Sequence, residues 1–247
     1  MRAHAFRVRP PVAAGLAALS VALLLSGCSS GSRTPELFPL DAGLTWRYRV
    51  TTELSDGTRS VDRLDVENLG TSKFPDGMDA QGRRNSLGNH YWFVSDNAGI
   101  YRVAARSEIE DRPRWDEDSP RRFVIKSPVK PGTSWQIRTL PFLLKKSFEW
   151  PNELRHGKPI LMNMEIEAVD AKVEVPAGRY ENCVLVVGRH AMKLYSDPVA
   201  GWSDVPVEQR EWFCPGVGLA KLVRSEKVKS KFYVGGETVY ELEKGPG

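Results

Sequence analysis

From Thr45 onward, apolar and polar positions alternate. Trp46, Tyr48, Val50 and Leu54 share one parity and Arg47, Arg49, Thr51 and Glu53 the other, the period-two pattern of a strand that buries one face. Asp56-Gly57 supplies a turn that tolerates positive φ, and the chain returns with Leu64 and Val66 set against Arg63, Asp65 and Glu67. His90 to Ser95 and Ile100 to Ala104 flank Asp96-Asn97-Ala98-Gly99, and Met162, Met164, Ile166 and Ala168 alternate with Asn163, Glu165 and Glu167. Lys227, Lys229 and Lys231 alternate with Val228, Ser230 and Phe232, which predicts a strand with a wet lysine face. Gly235-Gly236 then precedes a last strand with Tyr240 and Leu242 on one side.

Val184 to Val187 is apolar on both parities and predicts a strand covered on both sides. No window of a dozen residues keeps a helical period, and Pro141 to Trp150 is the one stretch expected to form a short helix. Long irregular loops are expected at Ile109 to Arg121 and Tyr195 to Glu208, both rich in Pro, Asp and Ser. The fold class that follows is mainly β and antiparallel, curved into an open barrel or a sandwich.

Two segments repeat. Pro39-Leu40-Asp41-Ala42-Gly43-Leu44-Thr45-Trp46 and Pro128-Val129-Lys130-Pro131-Gly132-Thr133-Ser134-Trp135 align without gaps, and Arg49 and Arg138 keep the register. Further on, Trp92-Phe93 leads through a turn to Gly99-Ile100-Tyr101-Arg102, as Trp212-Phe213 leads to Gly218-Leu219-Ala220-Lys221. Residues 36–126 and 127–242 are therefore candidate repeat units within one antiparallel domain, 36–247. The plainer account is that Pro-x-x-Gly is a common turn before a strand.

The chain opens differently. Arg2, Arg7 and Arg9 precede an apolar run from Val12 to Leu25, and no acidic residue occurs before Glu36. The run is well short of the roughly 20 residues needed to cross a bilayer, so residues 1–27 read as an export signal. It ends in Leu25-Ser26-Gly27-Cys28, which resembles the lipobox of bacterial lipoproteins. That resemblance implies cleavage before Cys28 and acylation of its thiol, and two or three acyl chains hold a protein stably where one is marginal. Ser29, in place of an aspartate, implies the outer membrane facing the periplasm in a Gram-negative cell. Residues 28–35, small and polar after the cysteine, suit a flexible tether.

Charge changes once the signal is set aside. Of 35 Lys and Arg, Arg2, Arg7 and Arg9 belong to it, leaving 32 against 31 Asp and Glu. A nearly neutral domain argues against nucleic acid as a partner. His90, His156 and His190 lie outside metal-ligand spacing of one another and of any Cys, and no H-E-x-x-H, G-x-S-x-G or P-loop occurs. Asp116-Glu117-Asp118 lacks the spacing and glycine of a calcium loop and is expected to be a solvated acidic loop. No cofactor, metal or catalytic residue is expected.

Val175-Pro176-Ala177-Gly178-Arg179-Tyr180-Glu181-Asn182-Cys183 and Pro215-Gly216-Val217-Gly218-Leu219-Ala220-Lys221 complete a set of motifs with the Pro39 opening. Together they resemble a group of uncharacterised bacterial lipoproteins in which PLxxGxxWxY, VPAGxFxxC and PGVGLVK motifs recur in that order. Here Tyr180 stands for the usual Phe, Ala220 for the usual Val, and Cys214 where alanine is common. The resemblance implies an all-β fold with curved antiparallel sheets and carries no activity.

Export delivers the domain to an oxidising compartment and lipidation uses Cys28. Cys183 and Cys214 are then expected to form a disulfide, the alternative being two buried thiols. The expected function is non-catalytic: binding of a lipid or other apolar ligand, with the membrane reached through the anchor. The alternative is a module that holds an envelope protein partner. A lined cavity of several hundred Å³ would favour the first, an exposed apolar patch the second.

Overall fold

The computed structural model describes residues 34–74, 77–116, 121–146, 159–199 and 201–247. Cys28, the export signal and most of the tether lie outside them, as does His156.

After one helical turn, α1 (Thr34–Leu37), the first half of the chain forms β1 (Thr45–Leu54), β2 (Arg59–Lys73), β3 (Asp79–Asn85), β4 (His90–Asp96), β5 (Gly99–Arg106), β6 (Arg114–Trp115) and β7 (Arg122–Lys126). The second half forms β8 (Ser134–Thr139), β9 (Lys145–Lys146), β10 (Ile160–Val175), β11 (Gly178–Asp197), β12 (Gly201–Cys214), β13 (Gly218–Glu226), β14 (Tyr233–Val234) and β15 (Gly236–Lys244). Thirteen of these strands make one antiparallel sheet in the order β6-β5-β4-β3-β2-β1-β15-β13-β12-β11-β10-β8, with β7 also on β5. β9 and β14 pair separately. The surface is one continuous curved sheet, not two stacked ones.

The halves trace the same course. Each is a six-stranded meander, β1-β2-β3-β4-β5-β7 and β8-β10-β11-β12-β13-β15, and the two join where β1 pairs β15. The repeated Trp begins the first strand of each, and Trp-Phe lies on the fourth. The opening turns match bond for bond. Gly43 N–H donates to Asn68 O and Asn68 N–H to Leu44 O, each at 2.9 Å; Gly132 N–H donates to Ile166 O and Ile166 N–H to Thr133 O, each at 2.9 Å. Gly43 and Gly132 both hold φ of 84°, a left-handed conformation that glycine reaches without a Cβ penalty.

Inward parity supplies the core. Phe93, Ile100 and Ile125 from the first meander pack with Met162, Ile166, Val186 and Phe213 from the second. Phe38 stands between the two Trp-Phe motifs, 5.1 Å from the Phe93 ring and 6.3 Å from the Phe213 ring. Fully burying a side chain of this size contributes roughly 1.5–3 kcal/mol, so the segment before β1 is a structural plug. A second cluster places Trp46, Tyr48, Val173, Val175 and Leu242 around the Cys183–Cys214 bond. As expected from its double-sided pattern, Val184 to Val187 lies between β10 and β12, with Val184, Val186 and Val187 all at 0% exposure.

Three local expectations are corrected. Residues 227–232 leave the ladder, because β13 stops at Glu226 opposite Gly236, the first residue of β15, and β15 offers no further rung to the lysine segment. Tyr195 to Glu208 is mostly strand: β11 and β12 pair from Val184↔Phe213 to Asp197↔Gly201, and Val205 and Val207 face inward despite Pro206 between them. Of Pro141 to Trp150, the described part is not helical; it bends at Phe142 and Leu143 and ends in β9. The other residues of that stretch lie outside the described set.

Candidate functional site

The two margins of the sheet, β7 and β8, face each other without a ladder among the described residues. Side chains cross the gap instead: Lys126 Nζ donates to Ser134 O at 3.1 Å and Arg122 Nη1 donates to Arg138 O. Over this seam lies a cleft of about 460 Å³. Arg102, Arg114, Arg122 and Arg138 line it with one carboxylate, Asp116. Trp115, Leu140 and Phe142 add apolar surface and are 49%, 52% and 52% exposed.

Asp116 accepts from Arg102 Nε and Nη2, both at 2.6 Å, a fork geometry that fixes the guanidinium plane. It is therefore half-buried in an ion pair and not part of a solvated acidic loop; Glu117 and Asp118 lie outside the described residues. Arg114 pairs with Glu110 at the rim. Burial, reinforced by the neighbouring Arg102, lowers the Arg122 pKa to about 10 against the opposing pull of Asp116 and Glu211. A guanidinium remains charged there, but it sits where an added anion would be favoured.

Beneath the cleft the interior is charged. Arg224 and Glu226 are both wholly buried and joined at 2.7 Å. Glu226 also accepts the backbone N–H groups of Phe142 at 2.8 Å and of Leu143 and Leu144 at 2.9 Å. A buried carboxylate needs such partners to offset its desolvation, and here they pin the segment that supplies Phe142, whose ring lies 4.6 Å from the Arg224 guanidinium. Gln209 Oε1 accepts from Arg224 Nη1 at 3.0 Å. Arg224 Nη2 has no hydrogen-bond partner among the described residues. Desolvation pushes the Glu211 carboxyl up to about 7, with Gln209 and the Arg224 and Arg122 guanidiniums opposing the shift.

A second cleft, of about 620 Å³, opens beside Trp46 and His90. Two ion pairs lie within it, Arg47 with Asp65 at 2.6 Å and Arg84 with Glu67 at 2.8 Å, and Glu108 and Lys244 add one charge of each sign. Burial and the nearby Arg106 and Arg84 lower the His90 pKa, so this imidazole is neutral near pH 7. His190 lies on β11 opposite Val207, apart from His90. Among the described residues no three His, Cys, Asp or Glu side chains are placed to hold a metal.

Cys183 and Cys214 are bonded, their Cα atoms 4.2 Å apart, tying the start of the β11–β12 ladder. The charged interior was not among the sequence candidates, although a signal for it existed. On β12, Gln209 and Glu211 occupy the inward parity between Val207 and Phe213, and on β13 Arg224 and Glu226 follow Leu222 on the inward side. Polar residues at core positions mark a functional or structural exception to patterning.

No family model matches the chain, and no curated protein matches it. Two solved structures are similar to it, a presumed lipoprotein from Parabacteroides distasonis and a presumed exported protein with a YmcC-like fold from Bacteroides fragilis. Each is 13% identical with a TM-score of 0.36, covering 85% and 84% of this chain and 97% of its own. Likeness at this level transfers nothing to the site.

Proposed function

We propose that this chain is an envelope lipoprotein, anchored through Cys28, whose β domain binds a lipid or other amphiphile without chemically altering it. The carrying observation is the seam cleft, the place where charged and exposed aromatic side chains converge beside a packed interior. The basic start, the short apolar run and Leu25-Ser26-Gly27-Cys28 support the anchor, and the order of the Pro-Gly motifs supports kinship with the lipoprotein group they resemble.

A concave site that joins apolar surface to a few placed polar groups is the usual form of a ligand pocket. Native mass spectrometry of protein released gently from its own membranes tests the reading; a reproducible adduct of lipid mass is expected, and a clean apo mass from native membranes would sink it. The anchor has a separate test. Cys28→Ala should abolish incorporation of labelled fatty acid, and continued labelling with membrane fractionation would remove the lipobox assignment.

A protein partner in the envelope is the alternative, favoured by a different feature. The β11–β12 hairpin tip exposes Val199 at 98% and Trp202 at 72%, an apolar display of the kind that marks an interface. A photo-crosslinker at position 202 that captures one reproducible envelope protein, together with a clean apo mass, would favour this alternative.

A further inference from the structure

One end of the concave interior is covered by chain that pairs with none of the thirteen strands. Residues 140–146 leave the margin strand β8 and reach Glu226 at the end of β13, although β10, β11 and β12 lie between those strands in the sheet. Glu226 faces inward and is wholly buried, so the segment meets it by crossing the concave side. Beyond Glu226, Lys145 and Lys146 pair with Val234 and Tyr233, and the next residue, Gly235, accepts the Ser55 N–H at 2.8 Å in the β1–β2 turn. The segment is a strap drawn from the sheet margin toward the junction of the halves.

The bonds that tie the strap to β13 converge on one side chain. Glu226 Oε1 accepts the Phe142 N–H and Arg224 Nε, and Oε2 accepts the Leu143 and Leu144 N–H groups. Leu140 and Phe142 gain little burial there, each remaining 52% exposed. Under the strap, Arg224 Nη1 donates to Gln209 Oε1 at 3.0 Å and to Met162 Sδ at 3.4 Å. Arg224 Nη2 has no acceptor among the described residues, which raises the energy of the closed arrangement. Opening would give it water or a ligand oxygen. The sulfurs of Met162 and Met164 both close on Gly188, and unbranched thioethers repack readily.

We propose that residues 140–146 form a gate over the concave interior, latched by Glu226, and that the apolar part of an amphiphile enters past it among Met162, Met164 and Ile166. What passes rests on the lipid-binding function proposed above; the latch does not. Opening breaks three backbone bonds and leaves the ladders intact, the pattern of a local unfolding unit.

The test uses the full chain carrying Cys28→Ser. Amides of Phe142, Leu143 and Leu144 should exchange at least a hundredfold faster than those of Val184 to Val187, at a rate that low urea leaves unchanged. Binding of cis-parinaric acid should approach a rate plateau as the probe is raised, because opening limits entry. Glu226→Gln keeps the side chain's size but withdraws the acceptor of two strap amides; it should speed their exchange and raise the plateau at least tenfold. That variant leaves Arg224 buried without its counter-charge, so Arg224→Gln combined with Glu226→Gln repeats the measurement with no unpaired charge, and the same direction is expected.

Strap amides that exchange only with the global unfolding of the sheet would overturn the latch. Strap amides that open locally, with probe binding that shows no plateau and is the same in both variants, would overturn the gate as the entrance and leave lipid binding standing. No probe binding by parent or variants would also overturn the entrance, and lipid binding as a function would then rest on the adducts from native membranes.

Discussion

The two meanders share strand order, opening turns and the placement of their tryptophans, yet they are secured by different means. In the first, the opening turn is clamped by long side chains: Asn68 Nδ2 donates to Pro39 O at 3.1 Å and Asp41 O at 3.0 Å, and Arg83 Nη2 to Pro39 O at 2.7 Å. Arg83 lies 4.0 Å from the Phe38 ring centre and 4.7 Å from that of Trp46, and burial lowers its pKa to about 10. In the second, one hydroxyl does the clamping, Thr133 Oγ1 to Pro128 O at 2.7 Å, and a disulfide holds the meander further along. Trp46 Nε1 donates to Val217 O at 2.7 Å, whereas Trp135 Nε1 is buried with no partner among the described residues. One backbone course can thus be stabilised by a polar clamp or by a covalent tie.

The sharpest way to test that contrast is to cut the tie. Trp212-Phe213 is followed by Cys214, but Trp92-Phe93 by Val94, so the second meander should respond most, the first being touched through Trp46 and Tyr48 of β1 alone among the cluster residues named above. With the bonded positions 31 apart in sequence, replacing both Cys183 and Cys214 by Ala should cost roughly 3–4 kcal/mol in urea unfolding. Amide protection should fall more in β10–β13 than in β2–β5; an equal fall in both would erase the distinction.

The charged interior belongs to the second meander as well, and pH probes it. The Glu211 carboxyl rises to about 7 in the folded protein from an ordinary 4.5, so the folded state holds this proton more tightly than the unfolded one. Its contribution is full below about pH 4.5 and is lost as pH rises through 7. Relative to the parent and normalised at low pH, Glu211→Gln should be more stable at pH 8 by up to about 3 kcal/mol. Parallel pH profiles for the two proteins would show that Glu211 is already solvated or ionised in the fold.

The smallest expected effect concerns the tryptophans. Trp46→Phe leaves the Val217 carbonyl without its donor, and an orphaned buried group costs about 1–3 kcal/mol. Trp135→Phe removes an N–H that has no described partner, so its cost should be lower by about 1 kcal/mol once the similar loss of volume is allowed for. Matched urea melts measure the difference, and equal losses would show that Trp135 is satisfied after all.

Much of the sheet was legible because one-sided burial writes itself as period two. Trp46, Tyr48 and Val50 predicted β1, and the 89-residue register of the Pro-Gly turns anticipated two matching strand starts. What escaped was nonlocal. Whether residues 227–232 continue a strand depends on where β15 begins, and Tyr195 to Glu208 became a hairpin because β11 offered a partner along its length. The arginine cleft was the least legible feature. Arg102, Arg122 and Arg138 are scattered over three strands, and only the curvature that brings β7 up to β8 collects them.

The junction of the halves has a mechanical side. β1 is the strand nearest the proposed anchor, and it lies mid-sheet between β2 and β15, not at a margin. A margin strand under tension unzips one bond at a time from a free flank. β1 has no free flank, and ahead of it Phe38 is wedged between the two meanders. A tug transmitted from the membrane would first meet α1, held by the Thr34–Ser127 contact at 3.3 Å and by the Gly216 N–H bond to Glu36 O at 2.8 Å, then that wedge, and then two ladders at once. Load from the proposed anchor would therefore enter both meanders together, the second through Phe213 and Gly216 and the first through Phe93 and Ser127.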